Sequence, residues 1–163
     1  MDFKTDILPV KDKIFRTALR ITLCREEAED ITQDVLMRLW RQKSQLAFVN
    51  SLEAYAITMA RNLSLDCLKK KASSTVNLDE GSVTNLFTEN PYDKIYAQEG
   101  LRHIYSVMML LPEKQRTCMA LRDFEGKNYR EIAEILGITE DQVKINIFRA
   151  RKFVKQKVSE MPF

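Results

Sequence analysis

The sequence is poor in the residues that make tight turns, bind metals or do redox chemistry. Glycine and proline number four each. That is too few for an all-β fold that turns every few residues, and the abundance of Ala, Leu, Glu, Lys, Arg, Ile and Met favours helix. The three cysteines, Cys24, Cys67 and Cys118, lie far apart, form no CxxC and cannot all pair within one chain, so they read as reduced thiols. With one histidine, His103, and no paired cysteines, a structural zinc site has no basis, and neither a metal nor a cofactor is expected. There is no P-loop, no GxGxxG and no nucleophile partner for His103, which reads as a half-buried helix residue; no enzymatic activity is expected. No run approaches the roughly 18 apolar residues that span a membrane. The start, "MDFKTDILPVKDK", is charged throughout and lacks a signal-peptide core. A cytoplasmic protein that does not insert into membranes is the expectation.

The net charge is only +3, so the distribution of charge carries more than its sum. Ile14, Ala18 and Ile21 recur at helical spacing in the stretch from about Ile7 to Cys24. In "CREEAEDITQDVLMRLWRQ", acids crowd the start and Arg38 and Arg41 the end, an order that suits the helix dipole. Ala28, Ile31, Val35 and Leu39 form one inward stripe, and Asp30, Gln33, Asp34 and Met37 fall opposite it. "QKSQLAFVNS" reads as a loop. Ser51 is a candidate cap for the next helix, with Glu53 in its first turn. That helix, "LEAYAITMARNLSLDCLKKK", is expected to bury Leu52, Tyr55, Ala56, Met59, Leu63 and Cys67, and it ends in Lys69, Lys70 and Lys71. Residues 72–94 are polar, lack a sustained period and bear acids; they read as an interdomain linker. The fold class is therefore all-α: two small helical domains, 1–71 and 95–163, joined by a flexible, acidic tether.

Four helices are expected in the second domain. The first is "DKIYAQEGLRHIYSVMMLL", running through Gly100. The second starts near Pro112, at an N1-like position, and stops at Gly126. In "NYREIAEILGITEDQVK", Asn128 caps with Glu131 three residues on, Ile132, Ala133 and Leu136 face inward, and Gly137 supplies the left-handed turn. Thr139 caps the last helix. This is the plan of a helix-turn-helix. On the last helix Val143, Ile147, Ala150, Val154 and Val158 face inward. Lys144, Phe148, Arg151 or Lys152, and Lys155 face out, with Arg149 at the edge. A basic outer face with an aromatic suits the major groove, where Lys and Arg neutralise phosphates and bond guanine edges. Near the helix start, Gln142 and Asn146 are candidate base readers and Ile145 a candidate for a thymine methyl. A solvated basic face on an ordinary helical domain is the alternative.

Two separate segments resemble one family, the bacterial extracytoplasmic-function sigma factors of the sigma-70 family. "LPEKQRTCMALRDFEGKNYREIAEILGIT" with "VKINIFRARKFVKQ" is similar to its region 4, which reads the −35 promoter element with the last helix. "EEAEDITQDVLMRLW" resembles region 2.2, and "LEAYAITMARNLSLDCLKKK" resembles regions 2.3 and 2.4. The likeness covers nearly the whole chain, in family order. It implies a protein that binds core RNA polymerase and promoter DNA, directs initiation through −10 and −35 elements, is held by an anti-sigma factor, and is a monomer when free. It further implies that Asp30, Gln33, Asp34 and Met37 dock on the polymerase; for the two acids, plain solvation is the alternative. For the −10 element it implies Arg61, Asn62 and Asp66, with Arg61, Lys69, Lys70 and Lys71 on phosphates. The 42–51 loop would hold a flipped base, Phe48 stacking and Asn50 reading its edge. For the −35 element the candidates are Gln142, Lys144, Ile145, Asn146, Phe148, Arg149, Arg151 and Lys152. Lys144, Phe148, Arg149 and Arg151 match the family. Ile145 and Asn146 stand where the family commonly has a Ser-Arg pair. The family's N-terminal aromatic-rich motif is only partly recognisable. The acidic linker, which in the family runs along the polymerase's RNA path, is either a nucleic-acid mimic there or a plain tether.

Two other readings remain from the residues. An ordinary helix-turn-helix regulator would bind duplex DNA well without polymerase. A helical adaptor that binds only protein would show no steep salt dependence.

Overall fold

A computed structural model describes residues 2–49, 51–73 and 99–160. The chain divides into two units, Met1–Thr88 and Glu89–Phe163. Among the described residues every regular element is helical.

Among the described residues, three α-helices build the first unit: α1 (Lys11–Thr22), α2 (Arg25–Arg41) and α3 (Leu52–Ser73). A single π turn, Phe3–Ile7, and a 3-10 turn, Leu8–Val10, lead into α1. All three helices pack on one another. Ile14, Ala18, Leu19 and Ile21 of α1 and the expected Ala28, Ile31, Val35 and Leu39 stripe of α2 meet in the core. The α1–α2 corner turns on Leu23, whose φ of 54° is left-handed although the residue has a Cβ. Thr22 braces it: its Oγ1 donates to the Ala18 carbonyl at 2.8 Å and accepts from Cys24 N at 3.4 Å. No side chain caps the start of α2, where Glu26 and Glu27 sit in the first turn instead. Ser51 does cap α3, its Oγ accepting from Ala54 N at 3.2 Å, and Glu53 pairs with Lys13 of α1.

The buried face of α3 differs from the expected one. Leu52, Tyr55, Met59, Leu63 and Cys67 are only half-buried; Ala56, Ile57, Ala60, Arg61 and Ser64 are the buried set. The face of α3 that lies against α1 and α2 mixes small side chains, Ala56, Ala60 and Ser64, with Ile57 and Arg61, and the larger apolar residues expected inside flank it. α3 also runs to Ser73, two residues past the expected end of the first domain at Lys71. The rest of the linker and the expected start of the second domain lie outside the described residues.

The second unit holds α4 (Glu99–Met108), α5 (Glu113–Asp123), α6 (Tyr129–Leu136) and α7 (Glu140–Ser159). α7 packs on each of the other three. Pro112 is the N-cap of α5 rather than its first residue. The buried Arg116 reaches back, its Nη1 donating to the Met109 and Leu111 carbonyls at 3.0 and 3.2 Å, so the α4–α5 turn ends on an interior cation. Burial pushes the Arg116 guanidinium below its ordinary pKa. His103 is half-buried on α4.

Candidate polymerase and nucleic-acid interfaces

Three surfaces carry the expected contact residues. The first is the outer face of α2. Asp30, Gln33 and Met37 are exposed there, and Asp34 is half-buried and held by Arg38, Nε to Oδ1 at 2.9 Å and Nη2 to Oδ2 at 3.4 Å. Sequence reasoning missed Trp40, which is 40 % exposed beside the 52 % exposed Met37. Its signal was present: Asp30, Gln33, Met37 and Trp40 fall at i, i+3, i+7 and i+10, one helix face. Phe3, from the π turn, meets the Trp40 ring edge-to-face with centroids 5.6 Å apart. Lys43 lies over the same ring at 3.8 Å. Phe3, Leu36, Met37 and Trp40 thereby line an apolar hollow of about 370 Å³. An exposed apolar hollow bordered by charge suits a protein contact.

The second surface lies between α2 and α3. A groove of about 790 Å³ has Asp30, Ile31, Asp34 and Arg38 on one wall and Leu63, Asp66, Cys67 and Lys69–Lys71 on the other. It brings together residues expected at the polymerase and residues expected at the −10 element. Asn62, Asp66, Lys69 and Lys70 are exposed. Lys71 is partly withdrawn: it pairs with Glu27, whose hydrogen bond holds the ammonium above its ordinary pKa. Burial first, and the Glu27 carboxylate second, push the Cys67 thiol up. Arg61, expected on phosphates, is 7 % exposed and belongs to the buried face of α3. Asn50 and the side chain of Phe48 lie outside the described residues; the loop before them is tied to α3 by Tyr55, whose hydroxyl donates to Gln42 Oε1 at 2.9 Å.

The third surface is the outer face of α7. Asn128 Oδ1 accepts from Glu131 N at 2.8 Å at the start of α6, and Gly137, at φ 68°, ends that helix. Thr139 and Gln142 then form a full capping box: Gln142 N donates to Thr139 Oγ1 at 3.1 Å and Thr139 N donates to Gln142 Oε1 at 3.0 Å. Val143, Ile147, Ala150 and Val154 are buried, which turns Lys144, Ile145, Phe148, Arg149, Arg151, Lys152 and Lys155 outward, all exposed. They are not equally available. Arg151 is forked onto Asp123 of α5, Nε to Oδ2 at 3.1 Å, and this hydrogen bond raises its pKa further. Lys144 lies 5.7 Å from the centre of the Tyr129 ring, which Arg122 also covers at 4.8 Å. Asn146 is half-buried, its Nδ2 donating to the Gln142 carbonyl at 2.7 Å. Among the described residues, no ion pair or hydrogen bond holds the side chains of Arg149 and Lys152.

Among the described residues no cluster of His, Cys, Asp and Glu suits a metal, and no helix is long and apolar enough to cross a membrane. Residues 7–74 match the family model for Sigma-70 region 2, and residues 101–154 that for Sigma-70, region 4. The chain is 26 % identical to the RNA polymerase sigma-H factor of Pseudomonas aeruginosa, over 95 % of this chain and 85 % of that one. It is 26 % identical to the ECF RNA polymerase sigma factor SigW of Bacillus subtilis, over 98 % and 91 %. Among solved structures it is similar to the sigma factor RpoE of Bartonella quintana in complex with the anti-sigma factor NepR, with a TM-score of 0.76, 21 % identity and 99 % of each chain covered.

Proposed function

Because the chain belongs to the sigma-70 family of RNA polymerase sigma factors, in its extracytoplasmic-function (ECF) group, we propose that its exposed faces divide the work of initiation between the two units. As a sigma factor it binds core RNA polymerase, directs initiation from promoters with −10 and −35 elements, and is not an enzyme. In the first unit, the outer face of α2 docks on the polymerase through Asp30, Gln33, Asp34 and Met37, and Trp40 extends that contact. The groove beside it and the end of α3 take the −10 strand, with Asn62 and Asp66 at bases and Lys69, Lys70 and Lys71 at phosphates. Phe48 and Asn50 serve the flipped base. In the second unit α7 enters the major groove of the −35 element, with Arg149 and Lys152 on phosphates. The protein acts in the cytoplasm, where polymerase and promoters are.

The observation that carries this assignment is the pairing of an exposed apolar hollow beside α2 with a capped, basic helix-turn-helix face on α7, in a chain whose two halves match the two sigma regions in order. An anti-sigma factor is the further partner we infer; a solved neighbour of the same fold was captured with one. Reconstitution is the test. Mixed with core polymerase and a promoter library, the protein should yield specific run-off transcripts that share two sequence elements. Tight duplex binding by the protein alone, with no polymerase binding, would replace this reading with an ordinary helix-turn-helix regulator.

A further inference from the structure

We infer that this chain reads its −35 element through the C5 methyl groups of thymine, with Ile145 as the specificity-determining residue and Phe148 beside it. This deepens the sigma-factor reading and rests on it. The polar candidates near the start of α7 spend part of their hydrogen-bonding capacity inside the protein. Gln142 gives its amide oxygen to the backbone of Thr139, and Asn146 gives an amide proton to the backbone of Gln142. Farther along, Arg151 is forked onto Asp123 and Lys144 leans over Tyr129. Two apolar side chains project from these turns beside the cations: Ile145 is 48 % exposed and Phe148 67 % exposed.

Neither residue carries the paired donors with which arginine grips guanine O6 and N7. Exposed apolar groups on a helix invite the question of what covers them, and here the surrounding charge answers it. Lys144, Arg149, Lys152 and Lys155 ring the two side chains and are all exposed, so the complement is a polyanion. In the major groove of duplex DNA the thymine methyl is the apolar group on offer. Ile145 and Phe148 are three residues apart on one helix, a Cβ separation of about 5–6 Å. That spacing lets them meet methyls on neighbouring or next-neighbouring base pairs, at about 3.4 Å of rise each.

The experiment uses the reconstituted holoenzyme on a promoter from which it initiates. Each thymine of the −35 element, on both strands, is replaced singly by deoxyuridine, which removes only the methyl. Occupancy is expected to fall about fourfold at one or two positions, the effect of losing one buried methyl-sized contact. Ile145→Ala holoenzyme, its fold checked by circular dichroism, should be indifferent to deoxyuridine at the same position. Three results would overturn the inference: no position sensitive to the methyl, Ile145→Ala as sensitive as the unaltered protein, or a −35 element with no thymine on either strand. Specific transcription accompanied by any of these leaves the sigma-factor reading standing. Absence of specific transcription removes both.

Discussion

The two helices assigned to DNA, α3 and α7, are 22 and 20 residues long and both carry a run of cations, yet they are held in opposite ways. α7 is gripped along one stripe of Val143, Ile147, Ala150 and Val154, and its basic residues stand clear of that stripe. α3 lies against two helices, and its buried face of Ala56, Ile57, Ala60 and Ser64 takes in Arg61 as well. What a cation on a helix can reach thus depends on whether it falls on the buried face or stands clear of it, and the charge alone does not say which.

The largest effect should separate these two cases directly. Arg61→Ala is expected to lower the stability of the first unit by about 2–3 kcal/mol, read as a shift of its unfolding transition in denaturant, whereas Arg149→Ala should stay within about 0.5 kcal/mol. Equal shifts would break the contrast. Next, Met37→Asp on the outer face of α2 should weaken core polymerase binding by about 2 kcal/mol, roughly thirtyfold, in a competition assay, with Arg149→Ala leaving that affinity intact. Arg149→Ala should instead reduce the slope of promoter affinity against salt by about one unit, and an unchanged slope would remove Arg149 from the phosphates.

The caps offer a finer comparison. Thr139→Ala removes a reciprocal box and should destabilise the second unit by about 1 kcal/mol; Ser51→Ala removes a single bond and should cost the first unit less, both read by thermal melting. The smallest effect concerns Cys67 on α3. Its thiol binds its proton more tightly folded than unfolded. The stability this contributes is complete below the ordinary thiol range and is lost as pH rises through the raised folded value. Alkylation of Cys67 in the folded chain should therefore reach its half-maximal rate at higher pH than in the urea-unfolded chain. A coincident pair of profiles would argue that α3 does not shield it.

Much of this was legible in the sequence where one helix face did one job. The α2 stripe and the α7 stripe of β-branched and small residues were readable from spacing, as were the Asn128 and Thr139 caps and the Gly137 turn. The buried face of α3 was not, because it mixes Ala56, Ala60 and Ser64 with Ile57 and Arg61, while the larger apolar residues that a hydrophobic pattern favours, Tyr55, Met59 and Leu63, lie half-buried. Trp40 lay on a face already recognised, but its neighbour Phe3 arrives from a π turn that no helical period announces. Nor did the sequence reveal that Gln142, Asn146 and Arg151 are engaged within the protein; hydrogen bonds settle that, and residue type leaves it open. Leu23 in the left-handed region, where glycine is usual, carried no signal at all.

Arg116 has a consequence for the order in which the second unit is completed as the chain emerges during synthesis. The carbonyls of Met109 and Leu111 that follow α4 find their donor only in a residue of the next helix, five to seven positions later. Until α5 has left the exit tunnel, these two carbonyls of the turn after α4 have only water to satisfy them. The two helices are therefore expected to form together, and a peptide of residues 99–123 should be more helical per residue by circular dichroism than one of residues 99–111. Being short-range, that clasp closes quickly and leaves α7, which touches all three other helices, to be the last and slowest piece to dock.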